Sequence, residues 1–117
     1  GLSMKDEEIK EMLKNVNTEI ASQKVLKEML KKKNKKLRIS YKKLRKLCLE
    51  SGIRIKTETK HAPPRDTCPC CGSKLRKFYT KSLKGELILT KVKCDVCGFV
   101  GTNGRFGVRR YVFLPER

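Results

Sequence analysis

Along residues 9–48, apolar residues recur in alternating steps of four and three positions, which is typical of a helix with one packing face. No glycine or proline interrupts residues 5–51, and the acidic residues 6–8 stand where a helix N-terminus favours negative charge. We therefore predict a basic helical arm over residues 1–52. Its stripe consists of Ile9, Leu13, Val16, Ile20, Gln23, Lys27, Leu30, Asn34, Leu37, Tyr41, Leu44 and Cys48.

Two structures satisfy this stripe. One is a single long helix that pairs with a second copy of the chain, as a coiled-coil homodimer through residues 9–48. The other is a helical hairpin, with a turn over residues 33–36 and a second helix that ends near Ser51. The polar residues Gln23, Lys27 and Asn34 weaken the middle of the apolar stripe. The sequence does not decide between the coiled coil and the hairpin.

The second half of the chain changes to the alternating pattern of strands. Residues 53–67 predict a linker that opens with a short strand, and Pro63 and Pro64 stiffen its second half. Residues 75–80, 86–93 and 108–114 predict a three-stranded antiparallel sheet within a domain over residues 68–117. The predicted fold class is thus α+β, with a small core of Phe78, Leu87, Leu89, Val100, Tyr111 and Phe113.

Four of the six cysteines form the clearest motif in the chain. The segments CPCCG, which starts at Cys68, and CDVCG, which starts at Cys94, are both Cys-x-x-Cys-Gly units. Two thiolates at this spacing can bind one ion from a tight turn, and two such turns give the four-sulfur tetrahedron that zinc favours. We therefore predict a structural Zn²⁺ held by Cys68, Cys71, Cys94 and Cys97. Disulfides and an iron–sulfur centre are the less favoured alternatives.

The remaining candidate ligands fit this set less well. Cys70 does not have the x-x spacing, so we predict a free and partly exposed thiol there. Cys48 lies on the helical stripe and is expected to be a small core residue. His61 lies seven residues before Cys68, and we interpret it as a solvated loop residue rather than a metal ligand.

Charge adds a second kind of candidate chemistry. The chain of 117 residues has a formal net charge of +18, which indicates a polyanionic partner. The basic residues are densest over residues 31–47, and others follow in the cysteine-rich domain. We predict that nucleic acid, with DNA favoured over RNA, binds to Lys31, Lys32, Lys33, Lys35, Lys36, Arg38, Lys42, Lys43, Arg45, Lys46, Lys74, Arg76, Lys77, Arg109 and Arg110.

Several classes of protein are disfavoured by the same sequence. No apolar run is long enough to span a bilayer and no secretory signal is evident, so we expect an intracellular protein without a membrane partner. A nucleophile–base pair is not apparent, and a zinc ion with four thiolates has no open position. We therefore expect a binding protein rather than an enzyme.

Residues 68–113 resemble the zinc ribbons of the transcription machinery, on the strength of CPCCG and CDVCG. The resemblance implies a DNA-binding role in transcription, with RNA polymerase as a partner. Transcript-cleaving elongation factors carry an acidic pair at the ribbon tip, whereas residues 82–86 here contain one acid beside Lys84, so RNA cleavage is not expected. The alternatives are a dimerising or polymerase-docking rod and a ribosomal-type protein bound to RNA.

Overall fold

A computed structural model describes residues 5–115 of the chain. The chain divides into two compact units, and each is described by itself. The described part of unit 1 consists of residues 5–56 and 110–115, and unit 2 is Thr57–Arg109.

Three short helices, and not one long one, lie within residues 5–52. They are α1 (Asp6–Lys14), α2 (Gln23–Lys33) and α3 (Tyr41–Glu50). The predicted long helix or two-helix hairpin is therefore wrong. The last helix of the hairpin alternative corresponds to α3, but its first helix is two helices separated by residues 15–22.

Serine side chains cap the starts of α2 and α3, and an asparagine side chain turns the chain after α2, whereas α1 starts without a side-chain cap. The Ser22 hydroxyl accepts a hydrogen bond from the Val25 backbone N–H at 3.2 Å, and Ser40 caps α3 in the same way through Lys43, also at 3.2 Å. After α2, the Asn34 side chain accepts from the Lys36 backbone N–H at 2.9 Å and turns the chain. Each of these bonds offers the backbone an alternative to continuing the helix.

The apolar residues of the stripe are buried, but inside the monomer. They lie on all three helices and on the segments between them, so the chain folds back on its own stripe instead of offering it to a second copy. The predicted coiled coil is accordingly wrong, and the seam on which the homodimer rested belongs to the core of unit 1. The buried members are Ile9, Leu13, Val16, Ile20, Leu30, Leu37, Leu44 and Cys48.

Within residues 5–115, five strands form two small sheets. Strand β1 (Ile53–Lys60) pairs with β5 (Gly107–Pro115), and β2 (Arg76–Lys81), β3 (Leu87–Lys93) and β4 (Val100–Thr102) form a three-stranded antiparallel sheet in that order. The predicted strands over 75–80 and 86–93 are confirmed within one or two residues. The predicted third strand over 108–114 is wrong as a ribbon strand, because it pairs with β1 and the ribbon takes β4 instead.

The core predicted for the ribbon is also largely wrong. Phe113 is fully buried, but it lies in unit 1, where it exchanges backbone hydrogen bonds with Ile20 at 2.8 and 3.0 Å. Leu87 is 69% exposed and Val100 38% exposed. The buried apolar and cysteine side chains of unit 2 are Cys68, Cys70, Leu75, Val92, Cys94, Phe99 and Phe106.

Unit 2 therefore has a small core, and three of its seven buried side chains are cysteines. A core of this size buries little apolar surface, so a further source of stability is expected in such a domain.

The longest helix in residues 5–115, α2, has 11 residues, and no helix of this part of the chain has the length and apolar character needed to cross a bilayer.

Candidate metal centre

The two Cys-x-x-Cys-Gly segments adopt the same backbone turn. In the first, the Gly72 N–H donates to the Cys68 carbonyl at 2.9 Å, and the Cys68 N–H donates to the Ser73 carbonyl at 2.7 Å. In the second, the Gly98 N–H donates to the Cys94 carbonyl at 3.0 Å, and the Cys94 N–H donates to the Phe99 carbonyl at 2.8 Å. Equal spacing in the sequence has thus produced two equivalent turns.

Glycine closes each turn because the backbone has a positive φ there. The angle is 81° at Gly72 and 82° at Gly98, in the left-handed region that side chains with a Cβ rarely adopt. The second turn also reverses the chain between β3 and β4, because Lys93 pairs with Val100 directly across it. The cysteine turn is therefore itself a hairpin connection.

These two turns bring the four predicted ligands together. The Sγ atoms of Cys68, Cys71, Cys94 and Cys97 all lie within 4.8 Å of one another. The Cys68–Cys97 and Cys71–Cys94 pairs, each with one sulfur from either turn, are both 3.5 Å apart. Zn–S bonds of about 2.3 Å in a tetrahedron place sulfurs about 3.8 Å apart. The four thiols can therefore hold one metal ion without rearrangement of the fold.

Backbone N–H groups already point at the sulfurs. The Cys70 N–H donates to Cys68 Sγ at 3.3 Å, and the Cys97 N–H donates to Cys94 Sγ at 3.5 Å. Such bonds orient metal ligands and reduce the negative charge on a thiolate. The donor in the first turn lies between the two ligands of its pair, and the donor in the second turn is the second ligand itself.

Without a metal, the thiol set favours protons. The hydrogen bond between Cys68 and Cys97, together with burial, raises the pKa of Cys68 above its ordinary value, and burial raises the pKa of Cys94. A metal ion that binds to the thiolates must displace these protons, so metal binding releases protons. Binding is consequently favoured as the pH rises.

Cys70 differs from its prediction. Its side chain is fully buried, so the expected partly exposed thiol is wrong. It nevertheless lies outside the group of four sulfurs. The signal that sequence reasoning missed is its position between two ligands, where the turn directs the residue's backbone N–H toward the first sulfur.

The other candidate ligands stay away from this centre. His61 is exposed and is not part of the cluster. Cys48 is fully buried on α3 as predicted, and burial raises the pKa of its thiol to about 12. Within residues 5–115, which include all six cysteines, the structure contains no disulfide.

The structure distributes the predicted nucleic-acid residues over both units. In unit 1 they lie in α2, in the connection over residues 34–40, in α3 and, for Arg110, in β5. In unit 2 they lie at or just before β2 and, for Arg109, in β5. Lys43 Nζ is 2.9 Å from an Asp6 carboxylate oxygen, so part of its charge is engaged within the unit. The exposed members are Lys31, Lys32, Lys33, Lys35, Lys36, Arg38, Lys42, Lys43, Lys46, Lys74, Arg76, Lys77, Arg109 and Arg110.

Arg45 is the exception, because only 8% of it is exposed. Its guanidinium donates to Gln23 Oε1 at 2.7 Å and lies 4.3 Å from the centre of the Tyr111 ring. These contacts hold a buried charge in place within unit 1, so the guanidinium does not face solvent where a phosphate would bind.

Comparison with known proteins does not assign this chain to a family, so any functional assignment rests on the cysteine site. No family model, no curated protein and no solved structure matches this chain. A four-cysteine cluster by itself does not identify a zinc-ribbon family, and what the structure establishes is a group of four thiols that can bind a metal ion.

Proposed function

We propose that this chain is a zinc-dependent nucleic-acid-binding protein, in which the metal holds unit 2 folded and exposed lysines and arginines bind phosphates. The observation that carries the proposal is the cluster of four cysteine sulfurs within 4.8 Å. A set of four thiolates with no water position is typical of structural zinc and not of catalytic zinc. The small core of unit 2 supports a metal whose role is to stabilise the fold.

The charge of the chain supports nucleic acid as the partner. Unit 2 carries eleven lysines and arginines against four acidic residues. Neutralising a phosphate releases condensed counterions, so a surface of this kind gains affinity for polyphosphate at low salt. Residues 31–38 of unit 1 add six exposed cations in eight positions.

DNA as the preferred nucleic acid, and transcription as the setting with RNA polymerase as a partner, are proposals that rest on the resemblance of residues 68–113 to transcription zinc ribbons. A binding assay with RNA polymerase and the immobilised protein tests the proposed partner. The Cys94→Ser variant is the control that lacks an intact ribbon. If the polymerase binds neither form, RNA polymerase is not a partner.

Fluorescence anisotropy with DNA and RNA oligonucleotides at about 50 and about 200 mM salt tests the proposed function. We expect binding at the lower salt and a steep loss of affinity at the higher salt. If neither nucleic acid binds at about 50 mM, the proposal is wrong, because electrostatic affinity is strongest there.

A charge-matched pair of variants locates the phosphate-binding surface of unit 1. Neutralising Lys35, Lys36 and Arg38 to glutamine removes exposed cations between α2 and α3, and should reduce the slope of log K against log[salt] by roughly 0.7–0.9 for each phosphate that the variant no longer neutralises. Neutralising Lys5, Lys14 and Lys24 removes the same charge elsewhere in unit 1 and should change the slope less. Equal effects would show that net charge alone governs binding.

A further inference from the structure

The two faces of the ribbon sheet differ in burial. Residues paired directly across antiparallel strands share a face, and successive residues of a strand lie on opposite faces. Lys77, Val92 and Gly101 share the first face, and both Val92 and Gly101 are buried. This first face is therefore the one that contributes to the core of unit 2.

The second face has no buried residue. It carries Arg76 opposite Lys93 and Phe78 opposite Lys91, and the shorter β4 adds Val100 beside Lys93. Past the irregularity between Phe78 and Tyr79, Thr80 and Ile88 continue the same face. Ile88 is 48% exposed, and every other member is exposed or half-buried. This second face is a cationic sheet surface with an aromatic ring among its charges.

Phe78 stands between two of these cations. The Arg76 guanidinium carbon and Lys91 Nζ each lie 5.4 Å from the centre of its ring. Proteins that bind single-stranded nucleic acid use this combination, because cations hold the phosphates and unpaired bases stack on an aromatic ring. A duplex keeps its bases stacked on one another and cannot use the ring.

One acidic residue competes for this surface. Arg76 Nη1 is 3.4 Å from an Asp95 carboxylate oxygen, and both side chains are more than half exposed. Ion pairs exposed to this degree contribute little free energy, so a phosphate can replace the carboxylate as the partner of Arg76. The charge available for an anion is thus that of Arg76, Lys91 and Lys93.

We infer that the second face of the ribbon sheet is a binding platform for single-stranded DNA, with a base stacked on Phe78 and phosphates on Arg76, Lys91 and Lys93. The inference rests on the proposed nucleic-acid function and names its site and the form of the strand. The choice of DNA follows the same proposal, and the chemistry of the platform requires unpaired bases.

The next residue along β2 provides a matched control for Phe78. Tyr79 is also aromatic and is 52% exposed, but it pairs with Leu89 on the first face. Replacing either residue by leucine keeps an apolar side chain of similar size and removes the aromatic ring. The difference between Phe78→Leu and Tyr79→Leu therefore reports stacking on the second face, and equal zinc content in the two variants shows that unit 2 is intact.

The experiment measures the affinity of each full-length protein for an oligothymidylate of about 12 nucleotides and for a DNA duplex of the same length, at about 50 mM salt. Stacking on an aromatic ring contributes about 1–3 kcal/mol per base. Phe78→Leu should therefore lower the affinity for the single strand at least about fivefold, the lower end of that range. The duplex affinity should stay unchanged, and Tyr79→Leu should alter neither.

Other outcomes overturn the inference in distinguishable ways. If Phe78→Leu changes neither affinity, Phe78 is not a stacking site and the proposed function stands. Equal losses of affinity for the single strand and the duplex would instead make the face a duplex site. An oligouridylate that binds more than about tenfold tighter than the oligothymidylate would replace DNA by RNA as the occupant. Failure of every nucleic acid to bind overturns the proposed function as well.

Discussion

The Arg45 side chain connects two parts of unit 1. Its guanidinium donates to Gln23 and lies over the Tyr111 ring, and the residue is almost fully screened from solvent. Hydrogen bonds that involve a charged group contribute about 1.5–3 kcal/mol, and the ring adds to this. The neighbouring Lys46 is exposed on the same helix.

Arg45→Ala and Lys46→Ala should consequently differ in their effect on stability. We expect Arg45→Ala to lower the free energy of unfolding by about 1–3 kcal/mol, and Lys46→Ala to change it by less than about 0.5 kcal/mol. Urea denaturation followed by circular dichroism measures both. If Arg45→Ala leaves the stability intact but weakens nucleic-acid binding, Arg45 is a phosphate-binding residue after all.

At the scale of elements, the short helices depend on their capping residues. Ser40 accepts a hydrogen bond from the Lys43 N–H at the start of α3, and loss of such a cap costs about 0.5–2 kcal/mol. Ser40→Ala should therefore destabilise the protein by that amount. In a continuous helix the same change would stabilise it, since alanine has the higher helix propensity. Lys42→Ala, an exposed position inside α3, is the control and should change the stability by only a few tenths of a kcal/mol.

The elements show which parts of the fold local sequence can predict. The β2–β3 hairpin and the two cysteine turns depend on local spacing, and their positions were predictable. The helix breaks at Ser22, Asn34 and Ser40 were not predictable. Serine and asparagine also occur inside helices, and the apolar stripe continues through the breaks. The pairing of β5 with β1 was beyond local pattern as well, since residues 108–114 alternate equally well for either partner.

The candidate site divides in the same way. The four ligands follow from the spacing of Cys68, Cys71, Cys94 and Cys97, which the structure brings together. The burial of Cys70 and of Arg45 depends on the tertiary structure, which in the second case places Arg45 over the distant Tyr111 ring. Charge counted along the sequence therefore could not separate the buried Arg45 from the exposed cations.

At the scale of the whole molecule, the two units differ in what stabilises them. Unit 1 has an apolar core that includes Leu13, Leu26, Leu30, Leu44 and Phe113, whereas the core of unit 2 is smaller and includes three cysteines. Structural zinc contributes folding free energy directly, so its removal acts on the unit that contains the ligands.

Exhaustive chelation should therefore unfold unit 2 and leave the helices of unit 1 in place. Hydrogen exchange would show reduced protection in β2, β3 and β4, together with retained protection in α1, α2 and α3. Readdition of zinc should restore the ribbon amides. Retained protection in the ribbon strands of a metal-free sample would mean that unit 2 does not need the ion.

X-ray absorption spectroscopy at the zinc edge, combined with elemental analysis of the purified protein, tests the metal centre most directly. We predict one zinc per chain with four sulfur neighbours at about 2.3 Å. A protein that binds no zinc under reducing conditions, or a zinc ion with nitrogen or oxygen among its four neighbours, would contradict this prediction.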